Sequence, residues 1–194
     1  MMNLRSTTKY LFASLILICA NQGHAATIYL SPSNQAVPIS DGTATLELFM
    51  DFTGDPTIGG GLDLDLVGGI SVAAFTPSSF WTTSTDPFFS GFGSALADAD
   101  FEIHFGSFSG LVGQQKLGDL TVNLLSEGVA SINLAINSTF GDFFSTGGNL
   151  QIVGLTGAQI EITPVPLPGA AFLLASAFVP LVVSMRCRKI NLEL

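Results

Sequence analysis

Asp100, Glu102 and His104 stand at alternate positions in DFEIHF. In an extended strand they share one face, with neighbours roughly 6.6 Å apart. Such a row could begin a metal site if a second strand added ligands. The same alternation equally predicts an exposed polar face opposite Phe101, Ile103 and Phe105. Asp63 and Asp65, in LDLDL, are hard carboxylates of the kind Ca2+ takes. Their spacing is not that of an EF-hand loop, so a Ca2+ at a sandwich edge is the only cofactor they suggest. The third group of interest is SSFWTTSTDPFFSGFG, residues 78–93. Phe80, Trp81, Phe88, Phe89 and Phe92 crowd a stretch otherwise rich in Ser, Thr and Gly. Aromatic rings exposed on a loop form apolar patches of the kind that bind ligands, and here they could stack on sugar rings. Alternatively, the loop folds its rings back over one end of the core.

Enzyme chemistry has less to work with. His104 is the only histidine after residue 25, and Cys19 and Cys187 both lie in the end segments. The middle therefore has no thiol nucleophile, disulfide framework or cysteine metal site. A Ser–His–Asp triad would have to use His104, and no serine sits in a nucleophile-elbow pattern. Paired carboxylates are too common here to mark a glycosidase. A secreted hydrolase is the remotest of the readings, and the expectation is a non-enzymatic protein.

The elements that must position these residues are short and alternate. TATLELFMDF places Leu46, Leu48, Met50 and Phe52 on one strand face and Thr45, Glu47 and Asp51 on the other, with Phe49 an exception. LDLDL turns Leu62, Leu64 and Leu66 inward, and FEIHF does the same with Phe101, Ile103 and Phe105. LTVNL, SINLAI and QIEIT repeat the pattern. Between the runs lie Asp41-Gly42, Gly59-Gly60-Gly61, Gly68-Gly69, Glu127-Gly128, Gly147-Gly148-Asn149 and Thr156-Gly157, all turn chemistry. No capped helix is expected in this region. About nine short strands with frequent turns predict an all-β antiparallel sandwich over residues 26–163.

Charge is distributed unevenly. The 194 residues carry a formal charge of −9. Between residues 26 and 164, fourteen acidic side chains face a single basic one, Lys116, a net of −13. A surface this acidic repels phosphate backbones, which excludes nucleic-acid binding. It leaves divalent cations and neutral sugars as partners, and it also simply keeps an extracellular domain soluble.

The two ends read as targeting segments. Residues 1–25 hold a positive start (Arg5, Lys9), an apolar run YLFASLILICA and small residues at Gly23 and Ala25. This is the pattern of a secretory signal peptide cut after Ala25. Cys19 follows the bulky Ile18, unlike a lipoprotein signal, and serves as one more apolar residue. At the other end, residues 169–185, GAAFLLASAFVPLVVSM, contain no charge. As a helix they would span roughly 25 Å, the lower edge of a membrane crossing. Their strong inserters supply roughly −2.4 to −4.8 kcal/mol, so insertion is favourable but marginal. Arg186, Arg188 and Lys189 follow and would stay in the cytoplasm, leaving the middle domain outside.

VPLPGAAFLLASAFVPLVVSMRCRK, in residues 164–189, resembles the PEP-CTERM type of bacterial sorting signal in its VPLP variant. Val165, Pro166, Leu167 and Pro168 match the family's proline motif, 169–185 its transmembrane helix and 186–189 its basic cluster. The resemblance implies export in a Gram-negative bacterium and transient membrane anchoring. It also implies cleavage near the motif by an exosortase-type transpeptidase and delivery to the cell surface or extracellular matrix, commonly with biofilm polysaccharide. Leu167 stands where the Pro-Glu-Pro form has Glu, and Cys187 interrupts the arginines. In such a bacterial protein the sequon Asn137-Ser138-Thr139 would be inert. Proline fixes φ and lacks an N–H, so VPLP favours an extended, unpaired backbone that a processing enzyme could grip. The order of the middle pieces is similar to cohesin-like and related carbohydrate-binding sandwiches. Leu64-Asp65-Leu66 replaces their Tyr-Asp-Pro-like element, so dockerin-type binding does not carry over. The expected function is therefore that of an exported surface or matrix protein, with a carbohydrate-binding module using residues 80–92 as the alternative.

Overall fold

A computed structural model describes residues 26–93 and 99–165. Ten strands and one short helix make up this region: β1 (Ala26–Ser31), β2 (Asn34–Pro38), β3 (Thr43–Val67), β4 (Ile70–Pro77), α1 (Ser79–Ser84), β5 (Gly91–Gly93), β6 (Phe101–Leu124), β7 (Gly128–Ile136), β8 (Phe144–Ser145), β9 (Val153–Thr156) and β10 (Ala158–Thr163). A 3-10 turn, Ile39–Asp41, joins β2 to β3 and ends at Gly42 with φ of 72°.

Two strands differ in kind from the short ones expected. β3 runs 25 residues and β6 runs 24, and they pair antiparallel along most of that length. Each changes neighbours midway. The first half of β3 pairs β1 (Leu30 opposite Leu48), and the second half pairs β7 (Leu64 opposite Leu134). The early part of β6 pairs β5, and the later part pairs β4. One layer thus reads β9–β1–β3–β6–β4 and the other β2–β10–β7–β3–β6–β5, with β3 and β6 common to both. Parallel pairs at β1–β9 and β2–β10 sit toward the edges.

The bend that allows this sharing falls where the sequence suggests a turn. Gly59, Gly60 and Gly61 do not end a strand; they lie inside β3, beside register shifts between Phe52, Thr57 and Gly59. Gly59 has φ of 121° and pairs Gly106. A Cβ on Gly59 would lie 2.1 Å from the Phe105 carbonyl oxygen. Glycine is required because two backbones touch there and the strand bulges, and such contacts look like turn chemistry in a sequence.

The core lies between the layers and follows the period-two faces. Leu46, Leu48, Met50 and Phe52 are buried, as are Leu62, Leu64, Phe101, Ile103 and Phe105. Leu120, Val122, Ile132, Ile160 and Ile162 complete it. Phe49, the outward exception, stacks on Tyr29 at 5.4 Å between ring centres. One element escaped the sequence pattern. Ser78 caps α1, accepting from the Trp81 N–H and donating to the Lys116 carbonyl on β6. A single turn and a half carries no legible helical period.

Leu64 is fully buried on the strand common to both layers. Leu64→Ala is expected to lower the unfolding free energy by about 3 kcal/mol, read from urea denaturation with an unchanged slope.

Candidate functional site

The outer face of β6 carries Glu102 and His104, and β3 sets Asp63 opposite Glu102 and Gly61 opposite His104. This is the polar row the alternation predicts, but it is not an open surface. The segment after β7 folds over it. Asn137, only 3% exposed, donates from Nδ2 to Asp63 Oδ1 and, at 3.4 Å, to Glu102 Oε2. Its Oδ1 accepts from the N–H groups of Thr139 and Phe140, each at 2.8 Å. Its own N–H donates to the Gly61 carbonyl. Asn137 is thus fully used as a buried tie between two acids and a loop, which closes the sequon to modification. Asp100 turns elsewhere, accepting from the Leu66 N–H at 2.7 Å. Asp65 lies opposite Asn133 of β7. Among the described residues no group of three or more His, Asp, Glu or Cys side chains is placed to hold a metal ion.

The same loop lays Phe140 flat on His104, with ring centres 3.8 Å apart and planes 16° from parallel. On the other side of His104 the β5 backbone comes so close that a Cβ on Gly91 would meet the imidazole at 2.8 Å. Burial pushes the His104 pKa below the usual 6.5, against a smaller upward pull from Glu102. Its buried Nδ1 has no hydrogen-bond partner among the described residues. Among the described residues no serine hydroxyl is hydrogen-bonded to it.

Beside His104 opens a cleft of about 240 Å3. Its floor is backbone, at Gly59, Gly60 and Gly106; its walls are Phe89, Phe108, Phe140 and Phe144, with Asp142 among the lining. Phe89 and Phe108 meet edge to face at 4.8 Å, and Phe88 packs on Phe89 at 5.0 Å. Phe88 is held out by an Asx turn in which its N–H donates to Asp86 Oδ1. The aromatic segment therefore divides. Trp81 is 5% exposed and packs among Phe75, Phe92 and Phe105, with Phe80 against the same core. No face of Trp81 is left for a sugar. Phe88, at 85% exposure, remains outside with Phe89 and Phe92, both at 42% although Phe92 also packs on Trp81, and Phe108 at 76% joins them. Phe108 and Phe140 escaped the sequence reading because each is isolated in it, among Ser and Gly or after a Ser-Thr pair.

The one cation in the described region sits apart from the cleft. Lys116 bridges Glu47 at 2.5 Å and Asp119 at 2.7 Å, and those hydrogen bonds, Asp119 first, raise its pKa above the usual lysine value. Ala25, Pro166, Leu167, Pro168, the apolar run 169–185 and the cluster Arg186, Arg188 and Lys189 lie outside the described residues; Val165 ends them and is exposed. Among the described residues no helix is long and apolar enough to cross a membrane.

No protein-family model matches the chain, and no curated protein matches it by sequence. Solved structures do match in shape. A chain from a type I cohesin–dockerin complex of Clostridium thermocellum superposes with a TM-score of 0.55 at 15% identity, covering 73% of this chain and 95% of that one. The non-cellulosomal cohesin of the archaeon Archaeoglobus fulgidus gives 0.51 at 14%, covering 76% and 96%. The seventh type I cohesin of the ScaB protein of Pseudobacteroides cellulosolvens gives 0.54 at 11%, covering 74% and 96%. The described region therefore has a cohesin-like β-sandwich fold.

Asn137→Ala would strand Asp63, Glu102 and two loop N–H groups, and is expected to cost about 2–4 kcal/mol in urea unfolding. The lowered pKa of His104 means that the unfolded chain takes up a proton the folded chain refuses. That penalty is absent well above pH 6.5 and grows as pH falls below it toward the folded-state value. His104→Gln should therefore lose less stability than the parent between pH 7.5 and 5, measured by parallel denaturation curves.

Proposed function

We propose that this protein is an exported, non-catalytic binding module that is sorted to the cell surface or extracellular matrix through its C-terminal tail. The observation that carries the binding role is the cleft on the cohesin-like sandwich. Aromatic side chains wall it, a backbone floor opens it, and its histidine lacks the partners that acid–base catalysis uses. The cohesin–dockerin complex among the similar structures supports a role in holding another molecule rather than transforming it.

The sorting role rests on the order of segments at the two ends. A signal peptide ending at Ala25 would deliver residues 26–163 across the inner membrane. The helix 169–185 and the cluster Arg186, Arg188 and Lys189 would hold the tail in the membrane. That leaves Val165, Pro166, Leu167 and Pro168 at its surface for an exosortase-type enzyme. Association with extracellular polysaccharide follows from the resemblance of this tail to PEP-CTERM signals.

A carbohydrate-binding role is favoured by one specific observation, the open rings of Phe88 and Phe108. Its best-suited ring, Trp81, is buried, which shifts any sugar contact to those two. Phe88→Ala should then abolish retention on a glycan array, whereas Trp81→Ala should act only by unfolding.

The mass of the protein recovered from the surface and medium of its host tests the sorting role. The expected product starts at Ala26 and ends within residues 165–168. A product ending at Leu194 and confined to the membrane fraction would replace sorting with a plain single-span anchor.

A further inference from the structure

The cleft beside His104 combines three features that its binding role does not by itself require. Its lining carries the rings of Phe89, Phe108, Phe140 and Phe144. It is lined by an exposed carboxylate, Asp142, and by no Lys or Arg. Two more carboxylates, Asp63 and Glu102, lie behind its histidine wall, tied by Asn137 rather than by a cation. The single lysine of the region is already held between Glu47 and Asp119. Electron-rich ring faces in a negative field, with no internal cation to satisfy them, favour a positively charged guest with an apolar outer shell.

We infer that this cleft is a binding site for an alkylated ammonium group, seated against Phe89, Phe108 and Phe140 and facing the Asp142 carboxylate. The inference rests on the reading of the cleft as a binding site and specifies its ligand. Burial keeps His104 below the usual imidazole value, so near neutral pH its ring adds no positive charge to the wall. The glycine floor matters equally. Gly59, Gly60 and Gly106 line the cleft with backbone, so a guest can meet peptide groups as well as rings there. Phe140 packs on His104 and follows the Asn137 turn, and Phe89 makes an edge contact with Phe108.

The test is calorimetric titration of the full chain with choline and with 3,3-dimethylbutan-1-ol, its neutral isostere. Choline should bind saturably and at least about tenfold more tightly than the alcohol, the difference a desolvated cation–π contact makes. Phe108→Ala should weaken choline by about fivefold or more. Phe108 is largely exposed, so an unchanged melting curve would show that the variant remains folded. Asp142→Asn should weaken choline and flatten its salt dependence. Nα-acetyl-lysine amide and its trimethylated form, titrated separately, distinguish a free small cation from the tip of a partner's lysine side chain. Equal affinity for choline and the alcohol would overturn the inference while leaving the cleft a binding site. Saturable choline binding that Phe108→Ala leaves unchanged would place the cation elsewhere and overturn it too. If neither titrant binds, the ammonium site is refuted, whereas the sorting role stands or falls by the mass of the secreted product.

Discussion

The approach of Gly59 to Gly106 is the constraint on which the rest of the structure depends. At this point β3 and β6 come together so closely that neither has room for a side chain. The bulge there bends both strands, and the bend carries each of them from one layer into the other. Two long strands common to both layers give the sandwich a continuous hydrogen-bonded spine, and the flanking strands complete each sheet at its edges. The same pair of glycines lines the aromatic cleft. Backbone contact at a bend and part of the cleft lining thus come from the same two residues.

Charge organises the face beside that bend. Glu102 is buried next to Asp63, an arrangement that would be costly if nothing bridged the two. Asn137 bridges them with its amide nitrogen and uses its oxygen to turn the chain into the loop carrying Phe140. A buried polar network is stabilising only when its members are satisfied, and here the side-chain amide of one residue serves both acids and loop. The loop then covers His104, whose desolvation follows from that cover. Stability of the face, neutrality of the histidine and placement of the cleft wall are therefore coupled through Asn137.

The aromatic residues divide between two tasks according to their backbone. Ser78 caps a short helix that turns Trp81 into the core, where it closes one end of the sandwich with Phe75, Phe92 and Phe105. A few residues later Asp86 forms an Asx turn that holds Phe88 out beside Phe89. Aromatic residues close together in sequence thus end with Trp81 buried and Phe88 exposed. Both rings are aromatic, and local backbone hydrogen bonding separates them.

The all-β class and the inward faces of the strands follow from local residue patterns alone. Alternation is a local property, and Leu46 to Phe52, Leu62 and Leu64, and Phe101 to Phe105 are buried as their period implies. The sequence also showed that Glu102 and His104 share a strand face and that the region is strongly acidic, whereas Asp100, expected in the same row, precedes β6 and accepts from Leu66 instead. Which strands are neighbours, that the Gly59–Gly61 run lies within a strand, that Trp81 is core and that Phe108 and Phe140 line one cleft near His104 are settled by long-range packing. These outcomes depend on partners far away in the chain. Asn137 reaches Asp63 and Glu102 across 74 and 35 residues, and Gly59 is explained by a carbonyl on Phe105. Local patterns fix which way a side chain points from its own strand; what it points at is set by long-range pairing, which no window along the chain contains.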